Sequence, residues 1–540
     1  MTDPCSLSTG LPGLDEVIQG LRAGDNIVWQ VDAIDDYARF VRPFCAEALR
    51  TGRKLIYFRF ARHPQLLPDN AGVAIHRLSP ECGFETFTAE IHQAIETAGR
   101  GAFYVFDCLS DLAADWYSDL MLGNFFLVTC PYLYDLETVT YFGLRRAHHS
   151  VDAVSAVRDT TQVLIDVFRD DDKLFVHPLK VDQRQSPTMY LPHAWEGAAF
   201  RAVTESAVLS DMLVRLTEPR AAGPARTLDV WDRTFLEAEE VLIGVQSGAR
   251  PASDAADICA HLCRMMLTRD ERVMALVSRY FELADLLSVR KRMIGTGLVG
   301  GKTLGMLLAR AILCRAGRGW REKLETHDSF FIGSDVFYSF LVRNDCWRVR
   351  RSQRRNTSFL DGAEEARQRI LTGSFPPFIY EHCIAMLGHF GQSPIVVRSS
   401  SLLEDGFGNA FTGKYESVFC PNQGSPEERL SAFLAAVRTV YASTMSREAL
   451  LYRARRGLLD SDEQMAVLVQ RVSGAVYGEL FYPQIAGVGL SYNPYVWSEY
   501  IEPEAGVLRL VFGLGTRAVE RCEAPKVLRH PCYSSWGRPA

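Results

Sequence analysis

A lysine behind a pair of glycines, an arginine ahead of three serines and a glutamine closing an apolar run stand apart in the second half of the chain. The lysine lies in Gly295-Thr296-Gly297-Leu298-Val299-Gly300-Gly301-Lys302-Thr303. Glycines let a backbone approach a polyphosphate closely, and a lysine supplies a point charge for it. The stretch nearly matches a P-loop, but Thr296 stands where that motif needs its first glycine, and the pattern offers no strand ahead of it. The P-loop reading is therefore rejected. In SPIVVRSSSLLEDGFGNAFTGKYESVF, Ser393 to Phe419, an apolar strand delivers Arg398 at its end, suited to phosphate oxygens. The serine hydroxyls and the amides of the turn FGNAFTGKY follow, placed to close over such a group. Met465 to Val472 reads as a buried strand whose backbone meets an adenine edge, followed by GVGLSYNP. The competing reading is plainer: Lys302 caps a helix and Arg398 pairs with Glu404.

In order and spacing these blocks resemble the phosphoenolpyruvate synthase, pyruvate phosphate dikinase and rifampicin phosphotransferase family. The elements that carry the resemblance are GGKTLGM, VRSSSLLED, VLVQRV and GVGLSYNP, and VRSSSLLED is the most specific. They cover less than half of the chain, from about Met293 to Arg517. The resemblance implies an ATP-grasp fold, in which two α/β subdomains sandwich ATP. It implies that Lys302 and Arg398 do the catalytic work of holding ATP phosphates, with Gly300, Gly301 and Ser399 beside them. Thr412, Gly413 and Lys414 would belong to the glycine-rich cover, and the strand around Val469 and Gln470 would face the adenine. Mg2+ is expected with the nucleotide, but no residue can be assigned as its ligand.

The same family moves a phosphoryl group onto a histidine in a glycine-rich T-S-H-A type motif, and a separate barrel then phosphorylates pyruvate. None of the twelve histidines has that context. His148-His149, in RRAHHSV, reads as a solvated helix end. The family's late acidic and glutamine residues and its Q-x-R-P strand are not found either. Past Gly513-Leu514-Gly515-Thr516-Arg517 the tail has no periodicity and many breakers, so a truncated ATP-grasp domain is expected. Phosphoryl transfer would then be weak or absent even where nucleotide binds, because the transferred group needs the metal clamp.

Near the other end, Ser8-Thr9-Gly10-Leu11-Pro12-Gly13-Leu14-Asp15 resembles the entry to a RecA/KaiC-like ATPase, where a strand and a phosphate-binding loop follow. The strand NIVWQV follows, but the loop position holds Asp32-Ala33-Ile34-Asp35-Asp36-Tyr37. With no glycine, no lysine and three carboxylates, it would repel a triphosphate. Asp107, in AFYVFDCLSDL, sits where a magnesium-binding acid belongs, but a hydrogen-bonding role at the strand end is expected instead. The region reads as a RecA-like fold that has lost ordinary ATP binding and serves docking or regulation of a protein partner.

The elements that must position these residues fall into three regions. Residues 1–216 alternate short β-rich runs (NIVWQV, KLIYFRF, AFYVFDCL, FFLVTC, TQVLIDVF, KLFVHPLKV) with helical patterns, which predicts an α/β domain with a largely parallel sheet. An antiparallel hairpin is expected at its edge, around Asp170-Asp171-Asp172. Residues 217–290 read as a small-residue linker, TEPRAAGPART, and a helical connector. Residues 291–540 mix helices and strands, as an α+β domain of the ATP-grasp type would. A chain of 540 residues suits several domains. A net charge of −6 gives no basic field for nucleic acid. No apolar run approaches the roughly 20 residues of a membrane span, and MTDPCSLSTG has no secretory pattern. Thirteen scattered cysteines with no CxxC pair fit a reducing cytoplasm. Cys259 and Cys263 read as two thiols packed on one helix face. The expected function is an ATP-binding, phosphotransferase-like protein of the phosphoenolpyruvate synthase type. The alternative is a non-catalytic regulatory or scaffold protein with a pseudo-ATPase first domain. Oligomeric state and phosphoryl acceptor are not readable.

Overall fold

The computed structural model describes residues 7–69, 72–170, 173–217, 228–325, 328–354, 358–404, 413–478, 480–493, 496, 498–513 and 528–529. The linker 218–227, Thr412 and most of the tail lie outside these residues. The chain divides into two compact units. One is Met1–Met274 with Glu282–Leu287 and Asp460–Asp462; the other is Ala275–Phe281, Ser288–Leu459 and Glu463–Ala540.

The first unit is built on nine strands: β1 (Asn26–Val31), β2 (Leu55–Arg59), β3 (Ala74–Arg77), β4 (Phe103–Cys108), β5 (Val139–Arg145), β6 (Val163–Asp170), β7 (Lys173–Val181), β8 (His193–Glu196) and β9 (Ala199–Ala202). Their order is β3-β2-β4-β5-β1-β6-β7-β8-β9. The six from β3 to β6 run parallel, and β7, β8 and β9 continue the sheet antiparallel. Helices α1 (Pro12–Ile18), α2 (Ile34–Arg50), α3 (Phe84–Ala98), α4 (Ser110–Trp116), α5 (Asp119–Asp135), α6 (Val151–Thr160) and α7 (Ser206–Thr217) accompany it, with α8 (Val230–Gln246) and α9 (Ala252–Met266) following. Every residue of β1 and β4 is buried, as a parallel strand covered on both faces requires. Aromatic rings close the layer under α2: Trp29 stacks on Phe40 with centroids 4.1 Å apart, and Phe44 on Tyr141 at 3.9 Å.

Two expectations about these elements change. The run FFLVTC is not a strand; it lies inside α5, whose amino terminus is capped by Ser118 accepting from the Met121 amide. A short all-apolar run cannot by itself separate a buried strand from a buried helix turn. The strand is instead Val139–Arg145, outside the apolar runs that predict strands. The β6–β7 hairpin forms, with Asp170 opposite Lys173, but it is not an edge because β8 and β9 lie beyond it.

Helices α10 (Glu271–Tyr280) and α11 (Leu283–Arg290) lead to the second unit. Its main sheet joins β10 (Met293–Ile294), β11 (Ser329–Ile332), β12 (Ile395–Ser401), β13 (Ser417–Cys420) and β14 (Met465–Arg471) in the order β10-β11-β14-β12-β13. Around it are α12 (Gly301–Ala316), α13 (Arg318–Lys323), α14 (Ser334–Arg343), α15 (Trp347–Ser352), α16 (Ala363–Thr372), α17 (Pro377–Phe390), α18 (Pro426–Ser443) and α19 (Arg447–Arg456). The start of α18 is set by a capping box in which Ser425 and Glu428 satisfy each other's backbone amides, with Pro426 at the first helical position. Strands β15 (Ala475–Tyr477), β16 (Leu480–Tyr482) and β19 (Leu528–Arg529) form a small sheet, and β17 (Ile485–Leu490) pairs with β18 (Val507–Phe512). Among the described residues, no helix is long and apolar enough to cross a membrane.

Candidate functional site

The loop from Gly295 to Gly300 leaves β10, so a two-residue strand does precede it, contrary to expectation. The loop is nonetheless tied to protein groups rather than opened as a cradle. The Leu298 amide donates to Ser334 Oγ at 3.0 Å, and Thr296 Oγ1 donates to Asp335 Oδ2 at 2.8 Å. Both partners open α14. At the loop's end Gly300 has φ +79°, and a Cβ on it would lie 1.5 Å from the Ser400 carbonyl oxygen. A Cβ on Gly301 would lie 1.9 Å from the Glu404 carbonyl oxygen. The two glycines are therefore required by the seating of α12 against the end of β12. Thr303 locks this contact: its amide donates to Ser400 Oγ at 3.1 Å, and that hydroxyl donates to the Val299 carbonyl at 2.9 Å.

Lys302, in the first turn of α12, reaches the same strand end. Its Nζ donates to Ser399 Oγ at 2.8 Å and to Glu404 Oε1 at 2.7 Å. Glu404 is only 2% exposed and also accepts from Ser399 Oγ at 3.0 Å and the Ser401 amide at 3.0 Å. Burial raises its carboxyl above the ordinary range, against the opposing pull of Lys302. The plainer reading put Arg398 against Glu404; the partner is Lys302 instead.

Arg398 lies within β12, opposite Leu468 of β14, rather than at the strand's end. Strand alternation places Arg398 and Ser400 on one face and Ser399 and Ser401 on the other. The Arg398 guanidinium donates to Gln470 Oε1 at a long 3.4 Å. The Gln470 amide nitrogen lies near Met306 Sδ of α12, at 3.2 Å, and Ser329 Oγ, at 3.4 Å. Arg398 therefore carries a charge that the protein holds loosely, while the charge of Lys302 is already matched.

The backbone of β14 does not have the free edge expected for an adenine. β14 is paired with β11 on one side and β12 on the other, so its amides and carbonyls serve two ladders. Val469 is fully buried and points to the face opposite Gln470. Gly413 is exposed with φ +69°, and Lys414 sits over the Tyr452 ring at 5.9 Å. The structure thus forms two neighbouring groups, Lys302 with Ser399 and Glu404 on one face of β12 and Arg398 with Gln470 on the other, with Gly300 and Gly301 at the close approach of α12 to that strand; Gly413, Lys414 and the Val469 side chain make none of these contacts. Thr412 lies outside the described residues.

Behind this set is a buried carboxylate that the sequence reading missed. Glu463, wholly buried, is held by Arg453 of α19, accepts from Tyr415 Oη at 2.7 Å and from Ser401 Oγ at 2.8 Å, and has Arg350 of α15 at 3.9 Å. Nothing in SDEQMAV marks it, because its partners come from helices elsewhere in the chain. Among the described residues, no group of three or more His, Cys, Asp or Glu side chains could hold a metal ion.

The first unit treats the equivalent position differently. Asp32, after β1, pairs with Arg146 at 3.3 Å, and Arg146 also binds Asp166 at 2.8 Å. Asp36, almost fully buried, takes both Nη2 and Nε of Arg169, at 2.5 and 3.2 Å. Asp35 is exposed. Asp107 is fully buried: it accepts from the Phe60 and Ala61 amides at 2.8 and 2.9 Å, and binds Arg59 at 2.5 Å and the Tyr57 hydroxyl. His149 is not solvated; it is 6% exposed, with Nε2 2.7 Å from Ser110 Oγ and Nδ1 3.3 Å from Asp119 Oδ1. Because Ser110 Oγ also accepts the Arg145 amide at 2.8 Å, this cluster serves to tie α4, α5 and the end of β5 together. Cys259 and Cys263 are buried on α9 with their thiols hydrogen-bonded to each other.

The second unit is thus a mixed α/β domain that places one lysine at the end of β12 and one arginine within it. Residues 296–529 match the family described as pyruvate phosphate dikinase, AMP/ATP-binding domain. The match contains every candidate site residue and none of the first unit's sheet.

Proposed function

We propose that the second unit binds ATP through its phosphates, with Arg398 and Lys302 as the cationic grip, as the nucleotide-binding part of a phosphotransferase of the phosphoenolpyruvate synthase and pyruvate phosphate dikinase type. The observation that carries this reading is that β12 holds Ser399 against Lys302 and, one residue earlier, Arg398 against Gln470, inside the segment that matches the AMP/ATP-binding family. Gly300 and Gly301 allow the approach of α12 to β12, and the Gln470 side chain, rather than the β14 backbone, is the group available to a base. Gly413, Lys414 and Thr412 remain proposed members of a cover. The domain is proposed to be of ATP-grasp type within 291–540, with Mg2+ accompanying the nucleotide.

Calorimetry with ATP, with and without Mg2+, on the full chain and on Lys302→Ala and Arg398→Ala tests this. Binding that weakens in both variants is expected. Unchanged affinity in both would end the proposal, and a clear gain in affinity from Mg2+ would support the metal's accompanying the nucleotide.

The second reading, a regulatory or scaffold protein, is favoured for the first unit by Asp32 and Asp36, whose charges are matched by Arg146 and Arg169 at the turn after β1. We read residues 1–216 as a degenerate RecA/KaiC-like domain and 217–290 as linker and connector, in a cytoplasmic protein, with a protein partner docking on the first domain.

A further inference from the structure

Lys302 and Glu404 form an uneven pair: the lysine side chain is 21% exposed and the glutamate 2%. An ammonium group has three donors. Two are spent on Ser399 Oγ and Glu404 Oε1, which leaves one for an incoming anion. A phosphate oxygen arriving there comes close to a carboxylate that cannot turn to solvent. If Lys302 swings wholly to the phosphate, Glu404 loses its cation. If Lys302 stays, two anions share one ammonium. Either way the ionised form of Glu404 is disfavoured relative to the acid.

The other groups facing Glu404 do not compensate. Ser399 Oγ and the Ser401 amide of β12 are neutral donors. The Tyr415 hydroxyl and the Glu463 carboxylate lie behind, and Arg453 of α19 and Arg350 of α15 are engaged with Glu463. Burial already favours the protonated state.

We propose that Glu404 is a positioning residue that fixes Lys302 by pairing with it, and that it takes up a proton when nucleotide phosphates dock on Lys302. This rests on the reading of the unit as an ATP-binding domain. The nucleotide then binds more tightly as pH falls, by up to about tenfold per pH unit for one linked proton.

The test is calorimetry of the full chain with MgATP at about pH 8, where the phosphates are ionised, in two buffers of different ionisation heat, so that proton uptake is read directly. Wild type should take up a substantial fraction of one proton per nucleotide. Glu404→Gln keeps the shape and removes the charge, so it should bind roughly tenfold more tightly with that uptake abolished. Equal uptake in both proteins, or none in wild type, overturns the proposal; the wild-type measurement needs no variant. Binding that is lost in Arg398→Ala but carries no proton uptake in wild type removes this inference and leaves the ATP reading standing. No binding by wild type removes both.

Discussion

Each unit has a turn between a strand and a helix where a phosphate could be met, and the two turns carry opposite charge. After β1 come Asp32, Asp35 and Asp36, and the protein answers with Arg146, just past β5, and Arg169 of β6. After β10 come glycines and Lys302, and the protein answers with Glu404. In the first case the arginines that could have met a phosphate are consumed by carboxylates built into the turn. In the second the lysine keeps a spare donor, and Arg398 stands nearby in β12 with one long hydrogen bond. The difference teaches that the sign of the turn's own residues decides whether a strand–helix junction receives an anion or is closed to one.

The comparison can be strained hardest at the buried ion pairs. Glu463 and Arg453 are both fully buried, whereas Arg169, the partner of Asp36, is 44% exposed. Removing one partner of a buried pair strands the other charge away from water, so Arg453→Ala, which leaves Glu463 only Arg350 at 3.9 Å as a cation, should cost about 3–5 kcal/mol of stability. Arg169→Ala should cost less, about 1–3 kcal/mol, because Arg39 remains 3.8 Å from Asp36 and water can reach the vacated position. Urea unfolding of the two variants measures this; an equal loss would show that the two junctions are built to the same tolerance.

Next in size is the effect on the grip itself. A hydrogen bond to a charged group contributes about 1.5–3 kcal/mol. Arg398→Ala should therefore weaken ATP binding by roughly 10- to 150-fold. Lys302→Ala should fall toward the lower end of that range, since it also frees Glu404 and leaves a buried carboxylate to be protonated. The mirror experiment belongs to the first unit: Asp32→Asn with Asp36→Asn should not create a second nucleotide site, because Arg146 still has Asp166 and the turn lacks glycine and lysine. Two nucleotides bound per chain in that double variant would break the comparison.

Much of this was legible in the residues. Continuous apolar runs marked β1, β4 and β14, and VRSSSLLED marked the strand end that gathers Lys302 and Ser399. Partners were less legible than elements. The sequence places Glu404 six residues after Arg398 and far from Lys302, yet Lys302 holds it, because the Gly300–Gly301 approach seats α12 on the end of β12. Glu463 was hidden for the same reason: its arginines lie on α15 and α19, and only the closed fold brings them in. The free backbone edge expected for an adenine was not legible as absent, since only the assembled sheet gives β14 neighbours on both sides. FFLVTC failed on period, being apolar on all faces of a helix.

The smallest expected effect concerns a surface carboxylate of the second unit, a counterpart to the closed Asp107 of the first. Asp328 accepts from Arg292 at 2.7 Å, from His389 at 2.8 Å and from Arg471 at 2.6 Å. Burial works to raise its carboxyl, but these hydrogen bonds outweigh it and bring it down to about 2. A carboxylate depressed in the folded state stabilises the protein fully above its unfolded value, near 3.9, and that contribution is lost as pH falls through the folded value. Stability from Asp328 should therefore be constant above about pH 5 and decline between roughly pH 4 and pH 2. Asp328→Asn, which removes the charge and keeps the shape, should be somewhat less stable at neutral pH and show a shallower loss on acidification. Because Asp328 is partly solvated, the difference should be modest. Urea midpoints at pH 3 and pH 6 would decide it, and parallel losses in the two proteins would mean that the two arginines and His389 gathered on Asp328 contribute nothing beyond what water supplies.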